Sequence, residues 1–233
     1  MKIYVNDKLI KRNSRIGRIA SFVGLAVMAG SMFVTFRYPQ WLSLAYILLF
    51  GGLALSQLGL YYGNRWGRRP RPDEQIDQAL KGFDDRFALY HYHTPTRHLL
   101  VGPAGVWIIM HYYQTGKIVY EKGRWKQKGG GIFEGYKRLF FQEGVGRPDL
   151  EIPAEVQSIE KYLKKKLPDT ELPEPNAVLV FTNDRAVLEV EEAPIPTVPA
   201  SKLKETIRKI GKGKSIPPEK VKDIQDVLEL SIS

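Results

Sequence analysis

Four histidines, 25 acidic residues and no cysteine bound the chemistry that this 233-residue chain can do. Without a thiolate, cysteine–zinc sites and disulfide staples are excluded. His91 and His93 stand two residues apart, a strand spacing that points both to one face, and with His98 or His111 they would make an imidazole metal set. No acid or cysteine lies close in sequence to complete such a set, so the expected roles are structural or at the surface, and no metal is expected. Neither a Gly-x-Ser-x-Gly elbow nor a Walker-type phosphate loop is present. The run Gly129-Gly130-Gly131 lacks the Lys-Ser/Thr that would follow in a phosphate cradle, and reads as a loop. Lys122, Arg124, Lys126 and Lys128 alternate with Gly, Trp and Gln, which would set four bases on one strand face with Trp125 opposite. Such a face could track a phosphate backbone, with Lys137 and Arg138 joining it, or lie against anionic lipid. The plainer reading is an edge strand guarded by charge. Lys164, Lys165 and Lys166 close a predicted helix, where cations suit the dipole.

The net charge of +10 suggests a nucleic-acid partner until it is divided along the chain. Residues 1–72 hold eleven of the 35 Lys/Arg and one of the 25 acids, Asp7; residues 73–233 hold 24 of each. The excess therefore belongs to the N-terminal third. Residues 19–36 and 38–64 there carry no ionisable side chain except tyrosine. About 20 helical residues cross a ~30 Å hydrocarbon core, so both runs are predicted to span a membrane, turning at Arg37 and Pro39. Trp41, Tyr61, Tyr62 and Trp66 lie near the ends, where amphipathic rings favour the interface. Ala20/Gly24, Ala26/Gly30, Gly52/Ser56 and Gly59/Gly63 are small-residue pairs that would let the helices approach.

Orientation follows from the bases. Lys11, Arg12, Arg15 and Arg18 precede the first run and Arg65, Arg68, Arg69 and Arg71 follow the second, while the turn carries only Arg37. Positive flanks stay on the cytoplasmic side. The predicted division is a basic cytoplasmic tail (1–18), a transmembrane hairpin (19–64), a basic linker (65–72) and a cytoplasmic domain (73–233), with the lipid bilayer as partner and both termini cytoplasmic at the plasma membrane.

Within 73–233, Asp73 can cap a helix carrying Ile76, Leu80 and Phe83. A meander of short antiparallel strands follows: residues 87–92, 99–101, 106–109, 117–120 and 124–126. A short helix around 132–141 and a stronger one over 153–167 are predicted. An apolar strand over 178–181 reads as buried on both faces. Weaker strands at 187–190 and 197–198 precede helices over 201–210 and 218–230. The class is α+β with a mostly antiparallel central sheet flanked by helices, its core at about 73–199 and a helical C-terminal tail at 200–233.

The stretch from His98 to Ile109, HLLVGPAGVWII, followed by Thr115-Gly116-Lys117-Ile118, resembles the nuclease-related domain family called NERD, of the PD-(D/E)XK nuclease-like superfamily. The resemblance implies a restriction-endonuclease-like fold over about residue 73 to the late 190s. It also implies an Asp before the histidine, a Glu after the second apolar strand and a Lys two residues on, the acids holding Mg²⁺ and the Lys activating water. Here those positions hold Arg97, Met110 and Tyr112. Glu74 or Asp77 could match the family's helical acid, with Asp84 and Asp85 nearby, yet no Asp or Glu occurs between Tyr90 and Val119. The expectation is a membrane-anchored, catalytically inactive member without cofactor, acting as a binding or scaffold module. A metal-dependent nuclease with a migrated site and a non-catalytic nucleic-acid-binding module are the alternatives.

Overall fold

The computed structural model describes residues 1–128, 144–213 and 215–232. The predicted loop at Gly129-Gly130-Gly131, the helix around 132–141 and the bases Lys137 and Arg138 lie outside the described residues. The chain forms two compact units, one of Asn6–Pro72 and one of Met1–Val5 with Asp73–Ser233.

The first of these units is a helical hairpin. Helix α1 runs Asp7–Arg37, capped by the Asn6 side chain, which accepts from the Leu9 N–H at 3.0 Å. Residues 39–41 make a 3₁₀ turn and α2 runs Leu42–Tyr62, continuing into a π turn over Gly63–Gly67. Both helices are long and apolar enough to cross a membrane, by length and composition. Their seam repeats every seven residues: Ile10, Gly17, Gly24 and Ser31 on α1, Ala45, Gly52 and Gly59 on α2. The glycines set the approach. A Cβ on Gly24 would sit 2.8 Å from the Gly52 carbonyl oxygen, and one on Gly59 would sit 2.8 Å from Ser21 Cα. Ser31 donates to the Ala45 carbonyl at 2.7 Å, removing a polar group from the apolar surroundings. Of the small-residue pairs expected from sequence, Gly24, Gly52/Ser56 and Gly59 lie in the seam. Gly30 has open space beside it, because the seven-residue period leaves that face outside.

The other unit corrects two expectations about the chain ends. Residues 1–18 are not a tail: Lys2–Val5 form a strand, β1, and Asp7 already starts α1. Strand β1 pairs in parallel with β2, Ala88–His91, so the hairpin is an insertion between two parts of one folded unit. The strand is well held. The Tyr4 ring stacks on Tyr90 with centroids 5.0 Å apart, Lys2 pairs with Glu229 at 3.1 Å, and the Met1 ammonium donates to the Phe83 carbonyl at 3.3 Å. The Tyr4 phenol bonds the Glu229 carboxylate, and burial with that negative neighbour pushes its pKa up to about 12.

Helix α3, Pro72–Ala79, is followed by β2, β3 (His98–Gly102) and β4 (Gly105–Tyr112), a true antiparallel meander. The next two strands leave that sheet. Strands β5 (Gly116–Glu121) and β6 (Arg124–Lys128) form a hairpin that β8 (Ala186–Glu189) joins in parallel to β5. Helix α4 runs Pro148–Lys166, and β7 (Asn176–Phe181) returns parallel to β4, with β9 (Thr197–Pro199) parallel beyond it. The main sheet among the described residues has six strands in the order β1-β2-β3-β4-β7-β9. It is mixed, not mostly antiparallel. The two long crossovers, through the hairpin and through β5–β6–α4, return the chain parallel, which local hairpin signals cannot foretell.

Helices cover both faces. Ile76 and Leu80 from α3, with Leu203 and Ile207 from α5 (Ala200–Gly211), pack on Leu89, Leu100, Trp107, Ile109, Val178 and Val180. Ile159 and Leu163 from α4, with Val221, Ile224 and Leu228 from α6 (Pro218–Leu230), pack on Tyr90, Leu99, Val101, Val106 and Ile108. The expected core boundary near 199 is therefore too early: α5 and α6 are layers of the core. Gln225 adds a polar clamp, its amide donating to the Arg86 and Val101 carbonyls at 3.0 and 3.1 Å. Ile224 is fully buried. Replacing it with Ala is expected to cost about 2–5 kcal/mol, read as a lower midpoint in denaturant unfolding. A change under about 0.5 kcal/mol, the surface value, would show α6 to be peripheral.

Candidate functional site

Three sets of side chains could carry chemistry, and the sheet separates them. Strands β2, β4 and β7 run parallel, so their C-terminal ends share one edge, the edge where open α/β sheets usually place ligands.

On the α3 side of that edge the histidines form a buried chain. His91 Nε2 meets Asp77 Oδ1 at 3.0 Å, and His91 Nδ1 meets His98 Nδ1 at 2.7 Å. The two ring contacts link His98 to Asp77 through His91, the donor in each being set by the histidine tautomer. His91 and His98 are 0% and 1% exposed, and each satisfies the other. His111 Nε2 contacts Thr182 Oγ1 at 2.8 Å and Gln75 Oε1 at 3.2 Å. The expected sharing of a face by His91 and His93 does not hold. Strand β2 ends at His91, Tyr92 takes φ +63°, and His93 instead bonds the Val5 backbone. Burial lowers the His93 pKa, an effect that the Val5 bond opposes. Asp77, the acid sequence reading did not connect to this pair, comes from α3, fourteen residues before His91. Among the described residues, no group of three His, Asp or Glu could hold a metal.

The three positions at which the family's Asp, Glu and Lys are expected lie around β3 and β4. Leu99 pairs with Ile108 in the β3–β4 ladder; Arg97 stands just before β3, and Met110 and Tyr112 share one face of β4. Arg97 is exposed, Met110 half-buried and Tyr112 buried, its ring stacked on Phe181 at 5.3 Å. No carboxylate stands at these positions. Glu74 and Asp77 belong to α3, which packs on the opposite face of the sheet. Asp84 is tied to Arg86 at 2.7 Å on the surface, which lowers its pKa.

An acid that sequence reading missed acts on Tyr112. Glu155 on α4 is half-buried with one carboxylate oxygen unpartnered, as is the Tyr112 hydroxyl. Burial raises the Tyr112 phenol, and the charges of Glu151 and Glu155 raise it further. Burial also raises the Glu155 carboxyl, opposed by a hydrogen bond from Thr96 and reinforced by Glu151. The helix predicted from Ile159, Leu163 and Leu167 starts at about Pro153. The actual start at Pro148 puts Glu151 and Glu155 one turn apart, and that pair was the available signal.

The basic strand is partly confirmed in its geometry. Arg124, Lys126 and Lys128 are exposed on one face of β6, an edge strand, with Trp125 buried behind. Lys122 is not on the strand; it occupies the β5–β6 turn at φ +51°. The same face carries Lys117 from β5, and two acids interrupt it. Lys117 pairs with Glu189 at 2.7 Å, and Glu121 contacts Lys128. The Lys128 bond and the charges of Lys128, Lys126 and Lys117 hold the Glu121 carboxyl below its ordinary pKa.

No family model matches the chain, and neither a curated protein nor a solved structure does.

The Glu155 environment has a sign that can be measured. A carboxyl with a raised folded-state pKa binds its proton more tightly in the fold than in the unfolded chain, so stability falls as pH rises from the ordinary value of 4.5 through the raised one. Glu155→Gln removes that loss. Its unfolding midpoint should exceed that of the parent at neutral pH, and the difference should shrink towards about pH 4.5. An equal difference at both pH values would refute the assigned environment.

Proposed function

We propose that the chain is a two-span membrane protein whose α+β unit is a non-cleaving, NERD-like domain of restriction-endonuclease-like fold. It serves as a binding or scaffold module at the cytoplasmic membrane face. The observation that carries this reading is the insertion of the hairpin between β1 and α3. Both hairpin ends join one folded unit, which requires an even number of crossings, and the uncharged runs supply two. The bases flanking those ends, against the single Arg37 at the turn, favour the cytoplasm for the domain.

The family reading draws support from β3 and β4. The segment that resembles the NERD motif forms two neighbouring antiparallel strands joined at Pro103-Ala104, with the positions expected to hold the acids and the lysine just before β3 and on β4. Their occupants, Arg97, Met110 and Tyr112, offer a cation no anionic oxygen. The full chain in detergent should leave DNA and RNA intact with Mg²⁺ or Mn²⁺, and calorimetric titration with Mn²⁺ should show no binding heat. Metal-dependent cleavage lost in Glu74→Ala would refute the proposal.

Glu155 favours the migrated-site reading as the second. Glu155 stands on α4 rather than β4, and one of its carboxylate oxygens is buried without a hydrogen-bond partner, as is the Tyr112 hydroxyl. Mn²⁺ heat abolished by Glu155→Ala would establish that reading. A nucleic-acid module using Arg124, Lys126 and Lys128 is the weaker alternative, since Glu121 and Glu189 already pair with that face. It requires salt-dependent binding that charge reversal of the three bases removes.

A further inference from the structure

Helix α1 is 31 residues long, about 46 Å at ~1.5 Å per residue, against a hydrocarbon core of ~30 Å. Its uncharged run begins at Ile19, so the turns over residues 7–18 continue as helix outside the core. Those turns carry Lys8, Lys11, Arg12, Arg15 and Arg18, all exposed. At about 100° per residue the five fall within an arc of about 120°. Ile10, Asn13 and Gly17, the buried positions of the same turns, lie on the opposite side.

The seam sets these bases level with the other flank. A Cβ on Gly17 would stand 2.8 Å from Gly63 N, and one on Gly67 would stand 3.5 Å from Ser14 Oγ. Arg15 and Arg18 on α1 therefore share a level with Arg65, which lies between those two glycines in the π turn. Arg65 donates to the Tyr61 hydroxyl at 2.7 Å and lies 5.5 Å from the centre of that ring. A guanidinium on an aromatic ring at the last uncharged turn suits the membrane interface.

We propose that Arg15, Arg18 and Arg65 form a collar that binds the phosphates of anionic phospholipid headgroups, with Lys8, Lys11 and Arg12 as an outer tier. This rests on the membrane reading above. Headgroup layers are about 5–8 Å thick on each side. Arg15 lies about 4.5 Å outward from Arg18 along the axis, within that layer. Arg12, Lys11 and Lys8 lie about 9, 10.5 and 15 Å outward, beyond contact, and act only through the screened surface potential. Guanidinium groups suit the inner tier because they bind phosphate in a bidentate fork.

The test reconstitutes the full chain in vesicles of phosphatidylglycerol and phosphatidylcholine, one or the other brominated, and reads the lipid-quenched fraction of tryptophan fluorescence in a Trp41→Phe background, where Trp66 remains beside the buried Trp107 and Trp125 of the α+β unit. The expected result is preferential quenching by the brominated phosphatidylglycerol, undiminished by added inorganic phosphate. At roughly fivefold per base, the variant R15Q/R18Q/R65Q should lower that preference by about a hundredfold. The variant K8Q/K11Q/R12Q should keep most of it, and high salt should lower that preference less than it lowers the parent's. Equal quenching by the two lipids in the parent, or a preference kept by R15Q/R18Q/R65Q, overturns the collar. Displacement by inorganic phosphate overturns the assignment to lipid. Absence of quenching by either lipid overturns the membrane reading itself, a distinct outcome.

Discussion

The pairing of Lys2–Val5 with Ala88–His91 is the constraint on which the architecture depends. A four-residue parallel strand pays for closing a loop of more than eighty residues, and loop-closure entropy grows only slowly with length. The interactions holding the strand exceed its backbone bonds: the Tyr4–Tyr90 stack, the Lys2–Glu229 pair and the N-terminal ammonium on Phe83. Because the strand belongs to the sheet, a single residue, Asn6, separates the α+β unit from a helix long and apolar enough to cross a membrane. The helical hairpin thereby becomes an insertion, with both ends answerable to one fold.

Each unit is stabilised by a different solvent logic. The α+β unit buries aliphatic and aromatic side chains on both faces of a sheet, where leaving water is the driving force. The hairpin leaves Phe22, Phe33, Phe36, Ile47 and Phe50 exposed and turns glycine and serine inward. Close backbone approach and a buried hydroxyl bond join the two helices, the kind of contact that holds helices together where lipid supplies no hydrophobic force.

The sheet also decides which polar groups meet. Its two faces separate Asp77, His91 and His98 from Glu155 and Tyr112. The first set is satisfied internally and reads as a polar rivet between α3 and two strands. The second leaves a phenol and a carboxylate oxygen without partners, where burial raises both groups. Unpaired buried polar atoms are costly, which marks that side of β4 as the place where the fold departs from pure packing.

Much was legible in the chain itself. Hydropathy and the eleven bases of the first 72 residues marked two membrane-length helices, since length and composition suffice where lipid is the solvent. Local patterns found the meander, the β5–β6 hairpin and most helices, because turns and caps act within a few residues. Long-range pairing escaped it. Nothing local says that Lys2–Val5 is a strand, that β5 leaves the meander for a second sheet, or that α5 and α6 close the core. The same holds for the sites. Spacing paired His91 with His93, which the fold separates, and left His98 and Asp77 unassigned; it found the bases of β6 but not Glu121 and Glu189 beside them. Residues far apart in sequence meet only when burial brings their elements together, and that choice is made by the whole core at once.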